Sequence, residues 1–366
     1  MTPVRTIGIR GAGLSGMSVA RELLKADPNL NITLFDRRTR LPHPERTFCF
    51  FKESKTPPLP CRSFNWQTVM FRGASFERRI DVSSSPYTMI RGDDFFEQTL
   101  SNLESSGACF RWGCGEVSLD DSSIKADGEV FSFDRVIDAA FEATQSRSIM
   151  WQSFAGVWVT TEGELFDPST ATLMDLQESS PEAPVSFLYV LPISKHRALL
   201  EHTTFSPTPL SKEYHLERCS MWLKKHAHGQ VSLGETEHGL IPMGLHASRS
   251  HLAMVVGSTA GMVRPATGYA FLATQEHARQ IAHHILNRAP RAPRAYPWWL
   301  TAADVVFLRA LLAAPEHGEY LMERLLSRSK DKALISFLAG SATFKAALSV
   351  WLSIPKSTML RSLVRV

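Results

Sequence analysis

No two cysteines in this chain are spaced as CxxC, and the five present (Cys49, Cys61, Cys109, Cys114 and Cys219) are odd in number. That argues against a disulfide framework or a zinc site and for reduced thiols in a reducing compartment; no metal is expected. Blocks of like charge are missing too, and the formal net charge is only +4 over 366 residues. A nucleic-acid-binding tail is therefore not expected. The opening MTPVRTIGIRGAG has no charged segment, apolar segment and cleavage site in succession, so no signal peptide is read there and a cytoplasmic location is expected. Internal repeats and low-complexity segments are absent as well. The nearest thing to a long apolar run is ALISFLAGSATFKAALSVWLSI, 333–354, which carries Lys345 near its middle and is interrupted by Gly340 and Ser341. A central lysine costs roughly 3 kcal/mol on insertion into a bilayer, so the stretch reads as a pair of amphipathic helices. Phe344, Leu348, Trp351 and Leu352 share one face of the second. That face would pack on a core or, on a sharper reading, lie in a membrane interface. Trp298 and Trp299, just after Pro297, are candidate interface anchors on the same terms.

What is present points to a globular chain of one large or two interleaved domains, with 44% hydrophobic and 21% charged residues. It opens as a βαβ unit: VRTIGIR, then GAGLSGMSVARELLKA, then NITLFD. Gly11, Gly13 and Gly16 form GxGxxG between strand and helix, and Asp36 lies twenty residues past Gly16 at the end of the second strand. The first glycine suits the tight turn, the second lets backbone approach a pyrophosphate, and the third lets helix and strand pack closely. The helix N-terminus offers free N–H groups to phosphate, and Asp36 suits a ribose hydroxyl. Arg10 is a misfit where such strands usually end in an apolar residue. A helix capped by Asp93 or Asp94 is expected up to Gly107, and Asp127-Gly128 signals a hairpin. From 151 to 206 the pattern alternates as in an antiparallel sheet, and 211–227 reads as a helix. LAMVVG, 252–257, followed by a glycine-containing loop and the helix-like TGYAFLATQEHARQIAHHIL, reads as a return to the first domain. The fingerprint alone leaves FAD and NAD open; the return topology favours FAD, with the late helix N-terminus near the flavin ring.

Several stretches together resemble the lycopene cyclase family, flavoproteins that close carotenoid rings. They are GAGLSGMSVA; RTFCFF, 46–51, where the family has an HTWSF-like segment; RVIDAA, 135–140; GVWVTTEGELFDPSTATLMDL, 156–176; FLYVLPISKHRALLEHT, 187–203; GLIPMGL, 239–245; and GMVRPATGYAF, 261–271. The resemblance runs in family order over nearly the whole chain. It implies an α/β fold: an FAD-binding Rossmann-like domain in two parts, 1–150 and 236–290, an inserted antiparallel-sheet substrate domain, 151–235, and a helical C-terminal region, 291–366, suited to membrane association. It also implies a ring closure with no net redox change that needs reduced FAD, with NADPH as reductant and an apolar polyene such as lycopene as substrate, at the periphery of a membrane.

On that resemblance Glu201, with His202 beside it, is the candidate catalytic acid, in the place of the family's IEDT or FLEET motif. The acid must stay protonated in a dry pocket, and the carbocation needs electron-rich neighbours. Gly11, Gly13, Gly16, Asp36, Gly257, Gly261, Thr267 and Gly268 are the candidate cofactor residues. Phe48, Phe50, Tyr189 and Tyr269 are the candidate substrate residues, with Phe51, Trp158 and Phe187 as further aromatics that could equally pack in the core. Four positions depart from the family pattern: His202 for a second acid, Arg264 for a histidine, and Arg46 and Phe48 for histidine and tryptophan. Neighbouring strand residues point to opposite faces, which argues against Glu201 and His202 acting as one unit. A cyclase for another polyene or prenylated compound, a flavin hydroxylase, and an inactive flavin-binding protein are the alternatives. Oligomeric state and the number of rings formed are not legible.

Overall fold

The computed structural model describes residues 4–39, 46–54, 56, 59–141, 148–178, 180–244, 254–287 and 296–354. Residues 245, 252, 253, 291–295 and 355–366, which the readings above include, lie outside the described residues.

The first sheet is parallel, in the order Met254–Val255, Arg135–Asp138, Thr6–Arg10, Asn31–Asp36, Cys109–Trp112. Its central strands bury apolar residues on both faces, as a covered parallel sheet requires. On one face lie the helices Leu14–Ala26, Gly92–Ser105 and Phe271–Asn287, packed through Val19, Leu23, Leu100, Leu103, Ile281 and Ile285. On the other lies a small antiparallel sheet, Glu129–Ser132, Ser123–Ala126 and Val117–Leu119, which sets Ile124 and Ala126 against Phe35 and Val136. Asp127 and Gly128, both at positive φ, make its hairpin turn, as the dipeptide predicts. The second helix starts at Gly92 rather than at an aspartate cap, because Asp93 is engaged by the Arg91 guanidinium and the Asp94 N–H.

The second sheet has seven strands in the order Val231–Met243, Met150–Thr161, Arg197–Ser206, Val185–Pro192, Thr170–Asp175, Thr68–Gly73, Phe76–Asp81. All neighbours are antiparallel except Thr170–Asp175 with Thr68–Gly73. The domain limits read from the sequence therefore shift. Residues 68–81 and 236–243, placed with the nucleotide domain, are strands of the substrate sheet. Their pairing with neighbouring strands, not their position in the chain, assigns them there. The helix Lys212–His226, capped by the Ser211 hydroxyl, covers one face through Cys219, Trp222 and Leu223. The other face meets the sheet Thr47–Phe51, Tyr87–Arg91, Ser63–Trp66 and the C-terminal helices.

Those helices are Trp298–Ala313, Gly318–Arg328, Asp331–Ala339 and Phe344–Trp351. Leu308, Leu311, Leu325 and Leu338 bury against the sheet, each worth about 2 kcal/mol. Among the described residues no single helix is long and apolar enough to cross a membrane, though two bent pairs pass by length and composition together. The apolar stripe on the last helix does not face the core. Phe344, Leu348 and Leu352 are 56%, 40% and 57% exposed, and Trp298 is 68% exposed. Ala347 and Val350 make the buried contacts instead.

A single ion pair ties this region to the return loop of the first domain. Arg264 reaches Asp304 with Nε 3.0 Å and Nη2 3.2 Å from the carboxylate, donates to the Phe337 carbonyl, and lies 4.3 Å over the Phe337 ring. Both ions are 1% exposed, so neither can be solvated if its partner is lost. Asp304→Ala is expected to cost about 3–5 kcal/mol in urea unfolding, because it strands a buried guanidinium. Arg264→Met with Asp304→Leu is expected to recover most of that loss. A single variant as stable as the natural chain would contradict the pairing.

Candidate active site

The fingerprint glycines divide the work as their spacing predicts. Gly11 adopts φ +97°, and a side chain there would lie 3.0–3.1 Å from the Ala139–Ala140 backbone. A Cβ on Gly16 would sit 1.9 Å from the Gly11 carbonyl oxygen, so only glycine lets helix and strand approach this closely. Gly13 has nothing within 4 Å of its missing Cβ and opens onto a cavity. It is also the N-cap of Leu14–Ala26 and supplies no side-chain cap, so the first N–H groups of that helix remain available to an anion. Asp36 lines the same end. Burial pushes its carboxyl up, but hydrogen bonds from Arg38 and the Ala12 N–H outweigh this and hold it below the ordinary value. Arg10, the misfit in the first strand, faces Asp138 at its register partner and binds it through two nitrogens at 2.9 and 2.6 Å.

The return loop closes the middle of the cavity. Ser258, Thr267, Gly268, Tyr269 and Ala270 line it, just before the helix Phe271–Asn287. Gly268, at φ +69°, lets the loop lie against Gln152, whose Oε1 would be 2.0 Å from a Cβ there and has no hydrogen-bond partner among the described residues. Gly257 and Gly261 do not line the cavity. They shape the loop: Gly257 passes against Ser15, and Gly261 takes the left-handed conformation after the turn Gly257–Ala260. Arg264 also stays outside, its charge spent on Asp304.

The far end is built on the second sheet. Glu201 sits opposite Gly156 on one neighbouring strand and Tyr189 on the other, and Gly156 sits opposite Glu237. Directly opposed residues share a face, so Glu237, Gly156, Glu201 and Tyr189 form a row, and Glu201 and Tyr189 line the cavity. Thr203 Oγ1 donates to Glu201 at 3.2 Å. Burial, and next the neighbouring Glu237 carboxylate, push the Glu201 carboxyl well above the carboxylate range. Around it stand Cys49, Tyr87 and Tyr269, with the Tyr87 and Tyr269 hydroxyls 3.3 Å apart, and Phe48 lines the cavity beside Phe271. Burial raises the Tyr87, Tyr189, Tyr269 and Cys49 values as well, so these groups stay neutral. The whole cavity has a volume of about 820 Å³, at the upper end for small-molecule sites. Arg46 lines it too.

Two sequence expectations fall elsewhere. His202 points through the opposite face of its strand and does not line the cavity. It is fully buried under the helix Lys212–His226, with Nε2 3.0 Å from Ser186 Oγ and Nδ1 2.9 Å from His215 Nδ1. The strand alternation that brings Glu201 to the site carries His202 away from it. Phe50 stacks on Phe271 at 5.1 Å in a separate cluster, leaving Phe48 as the phenylalanine of that strand at the cavity. Phe51, Trp158 and Phe187 are core residues. Glu237, Gly156, Tyr87 and Gln152 went unnoticed in the sequence, because only the strand register brings them together.

A family model described as "Lycopene cyclase protein" matches residues 7–364. The chain belongs to the lycopene cyclase family. It is 35% identical over 313 residues to lycopene beta cyclase of Solanum lycopersicum and 24% identical over 306 residues to that of Arabidopsis thaliana. Each alignment covers 77% of this chain and 60% of the relative, so the chain spans about 60% of the length of these curated relatives. Its fold is that of flavoproteins. A flavoprotein/dehydrogenase from Cytophaga hutchinsonii, 11% identical, superposes with a TM-score of 0.60 over 99% of both chains.

Within this family member the two inward histidines are a stability device. Burial holds His202 at about 3 and His215 at about 4, below the ordinary 6.5, with His215 itself a further cause for His202. Unfolding lets both bind protons, so the stability they permit is complete above about pH 6.5 and is lost as pH falls toward their folded values. Urea unfolding at pH 5 and pH 7.5 is expected to differ by on the order of 2 kcal/mol per histidine. His202→Asn with His215→Asn should flatten that difference; an unchanged slope would contradict the neutral pair.

Proposed function

We propose that this chain closes the ψ-end groups of lycopene, or a closely similar apolar polyene, into β-rings without net redox change. The observation that carries the reading is Glu201: a carboxyl kept protonated by burial, facing an aromatic cavity that continues to the GxGxxG turn. The other end of the cavity fits FAD, since Gly13 leaves open space before an uncapped helix N-terminus. Gly11, Gly13, Ser15 and Asp36 would hold its adenosine and pyrophosphate, and Thr267, Gly268 and the Phe271–Asn287 helix start its ring end. When bound and reduced, with NADPH as the electron source, FAD would supply negative charge that favours a nearby cation.

The protein's own residues account for the rest. The Glu201 O–H bond breaks and a C–H bond forms at the inner carbon of the terminal double bond, leaving a tertiary cation. The next double bond attacks it, closing the ring with a new C–C bond. Loss of a ring proton to the Glu201 carboxylate restores the acid and leaves the ring double bond. Tyr189, Tyr269, Tyr87 and Phe48 present π faces or hydroxyl oxygens to the cation and exclude water. Their neutrality matters, because an ionised phenol would compete for the proton.

The substrate of such a reaction resides in a membrane. Trp298, Phe344, Leu348 and Leu352, exposed beside Lys345, support a peripheral membrane contact through the C-terminal helices. In cells that accumulate lycopene, expression should yield a pigment of unchanged mass with ring-type absorption, and Glu201→Gln should reduce conversion at least about 100-fold. Folded, FAD-loaded protein with an unchanged pigment profile would contradict the substrate. A product heavier by oxygen would contradict the reaction class. Vesicles of anionic lipid should pellet the protein, and Trp298→Ser with Phe344→Ser and Leu348→Ser should release it. Natural protein left in the supernatant at low salt would contradict the membrane contact.

A further inference from the structure

Gly156 is the gap in the row of side chains. Because it has none, nothing stands between the residues opposite it on its two sides, Glu201 and Glu237, which share its face of the sheet and feel each other's charge. An alanine Cβ there would lie 3.3 Å from Glu201 Cβ, 3.2 Å from the Leu200 carbonyl oxygen and 3.0 Å from Leu199 Cδ1, so the gap is fitted to glycine. Glu237 is 1% exposed and does not line the cavity. Its Oε1 accepts from Thr47 Oγ1 at 2.9 Å, while its buried Oε2 has no hydrogen-bond partner among the described residues. Two ionised carboxylates cannot hydrogen-bond to each other; a proton on one of them satisfies both.

The surroundings favour a single negative charge. Cys49 and Arg46 approach from the Thr47–Phe51 side, Tyr87 and Tyr269 from across the cavity, Tyr189 from the next strand, and Cys219 from the helix behind. Burial keeps the thiols and phenols neutral. Arg46 is the cation whose charge reaches Glu237, and together with the Thr47 hydrogen bond it favours charge at Glu237 over Glu201.

We propose that Glu201 and Glu237 share one proton across Gly156, with Glu237 the positioning residue that keeps Glu201 protonated and, once that proton has gone to substrate, draws one back. This deepens the proposed function and rests on Glu201 being its acid. In the resting pair Glu201 carries the proton and Glu237 the charge. Donation leaves two carboxylates side by side, facing the cation. Their mutual repulsion makes Glu201 a strong base for the ring proton, so the same oxygen that gives a proton takes one back and no base is consumed. The two titrate as a unit, and removing one charge must move the other.

The test uses the purified full-length chain and two readouts. Infrared difference spectra follow the protonated-carboxyl stretch against pH, with no turnover needed. The pH dependence of ring closure follows the same group in action, activity being lost as pH rises through its value. Glu237→Gln is expected to move both the infrared midpoint and the alkaline limb of kcat down by about one pH unit or more. At a pH above that limb kcat then falls about tenfold, with KM little changed. Glu237→Asp, which keeps the charge, should lie closer to the natural chain, and it serves alone if Glu237→Gln does not fold. Gly156→Ala, which wedges the pair apart, should shift both in the same direction as Glu237→Gln. A midpoint and limb that stay where they are in Glu237→Gln overturn the proposal. An infrared shift in a chain that closes no ring supports the carboxyl pair while removing the functional reading.

Discussion

A carboxyl group buried without a cation of its own is the constraint on which the site depends. Thr203 on its own strand gives Glu201 a hydroxyl, and Tyr189 and Glu237 share its row in the sheet, but among the described residues no lysine or arginine pairs with it. Ionising it there costs free energy, so it holds its proton near neutral pH. Everything that makes the cavity suitable for a cation follows from the same dryness. The phenols and the thiol around Glu201 stay neutral for the same reason, and the polyene proposed as substrate would meet aromatic side chains there.

Charge elsewhere is arranged so that it does not spoil this. Arg10 pairs with Asp138 and Arg38 with Asp36 at the nucleotide end, and Arg264 is locked to Asp304 beneath the C-terminal helices. Arg264 replaces the histidine of the family pattern, and the aspartate across from it explains how the substitution is accommodated: its positive charge is neutralised and kept out of the cavity. Arg46 is different. It lines the cavity, and its charge is felt by Glu237, the member of the pair that can use it. The ion pair at Arg264 also joins the return loop to the helices that expose Trp298 and Phe344.

Much of this was legible in the sequence. GxGxxG with Asp36 twenty residues on, the return at GMVRPATGYAF, and the alternation from 151 to 206 each carry a local signature, and each forms the element expected. Glu201 was legible as a strand-end acid, and period two already separated it from His202. The rest depended on register. Glu237 lies 36 residues further along, in GETEHGLIPM, and nothing local says that Gly156 will stand between it and Glu201. Sheet membership depended on register as well: residues 68–73 and 236–243 pair with strands far away in the chain. The stripe Phe344, Leu348 and Leu352 has the helical period, but only the structure shows it exposed, since periodicity states which residues lie together and not what they lie against.

Ring closure in heavy water tests the central claim most directly, because a proton drawn from a buried carboxyl comes ultimately from solvent. With protein exchanged into deuterium oxide and lycopene supplied in vesicles, the cyclic product should carry up to one deuterium for each ring, and Glu201→Gln should form none of it. Cyclic product formed at the natural rate without deuterium, or formed equally by Glu201→Gln, would contradict proton donation from Glu201.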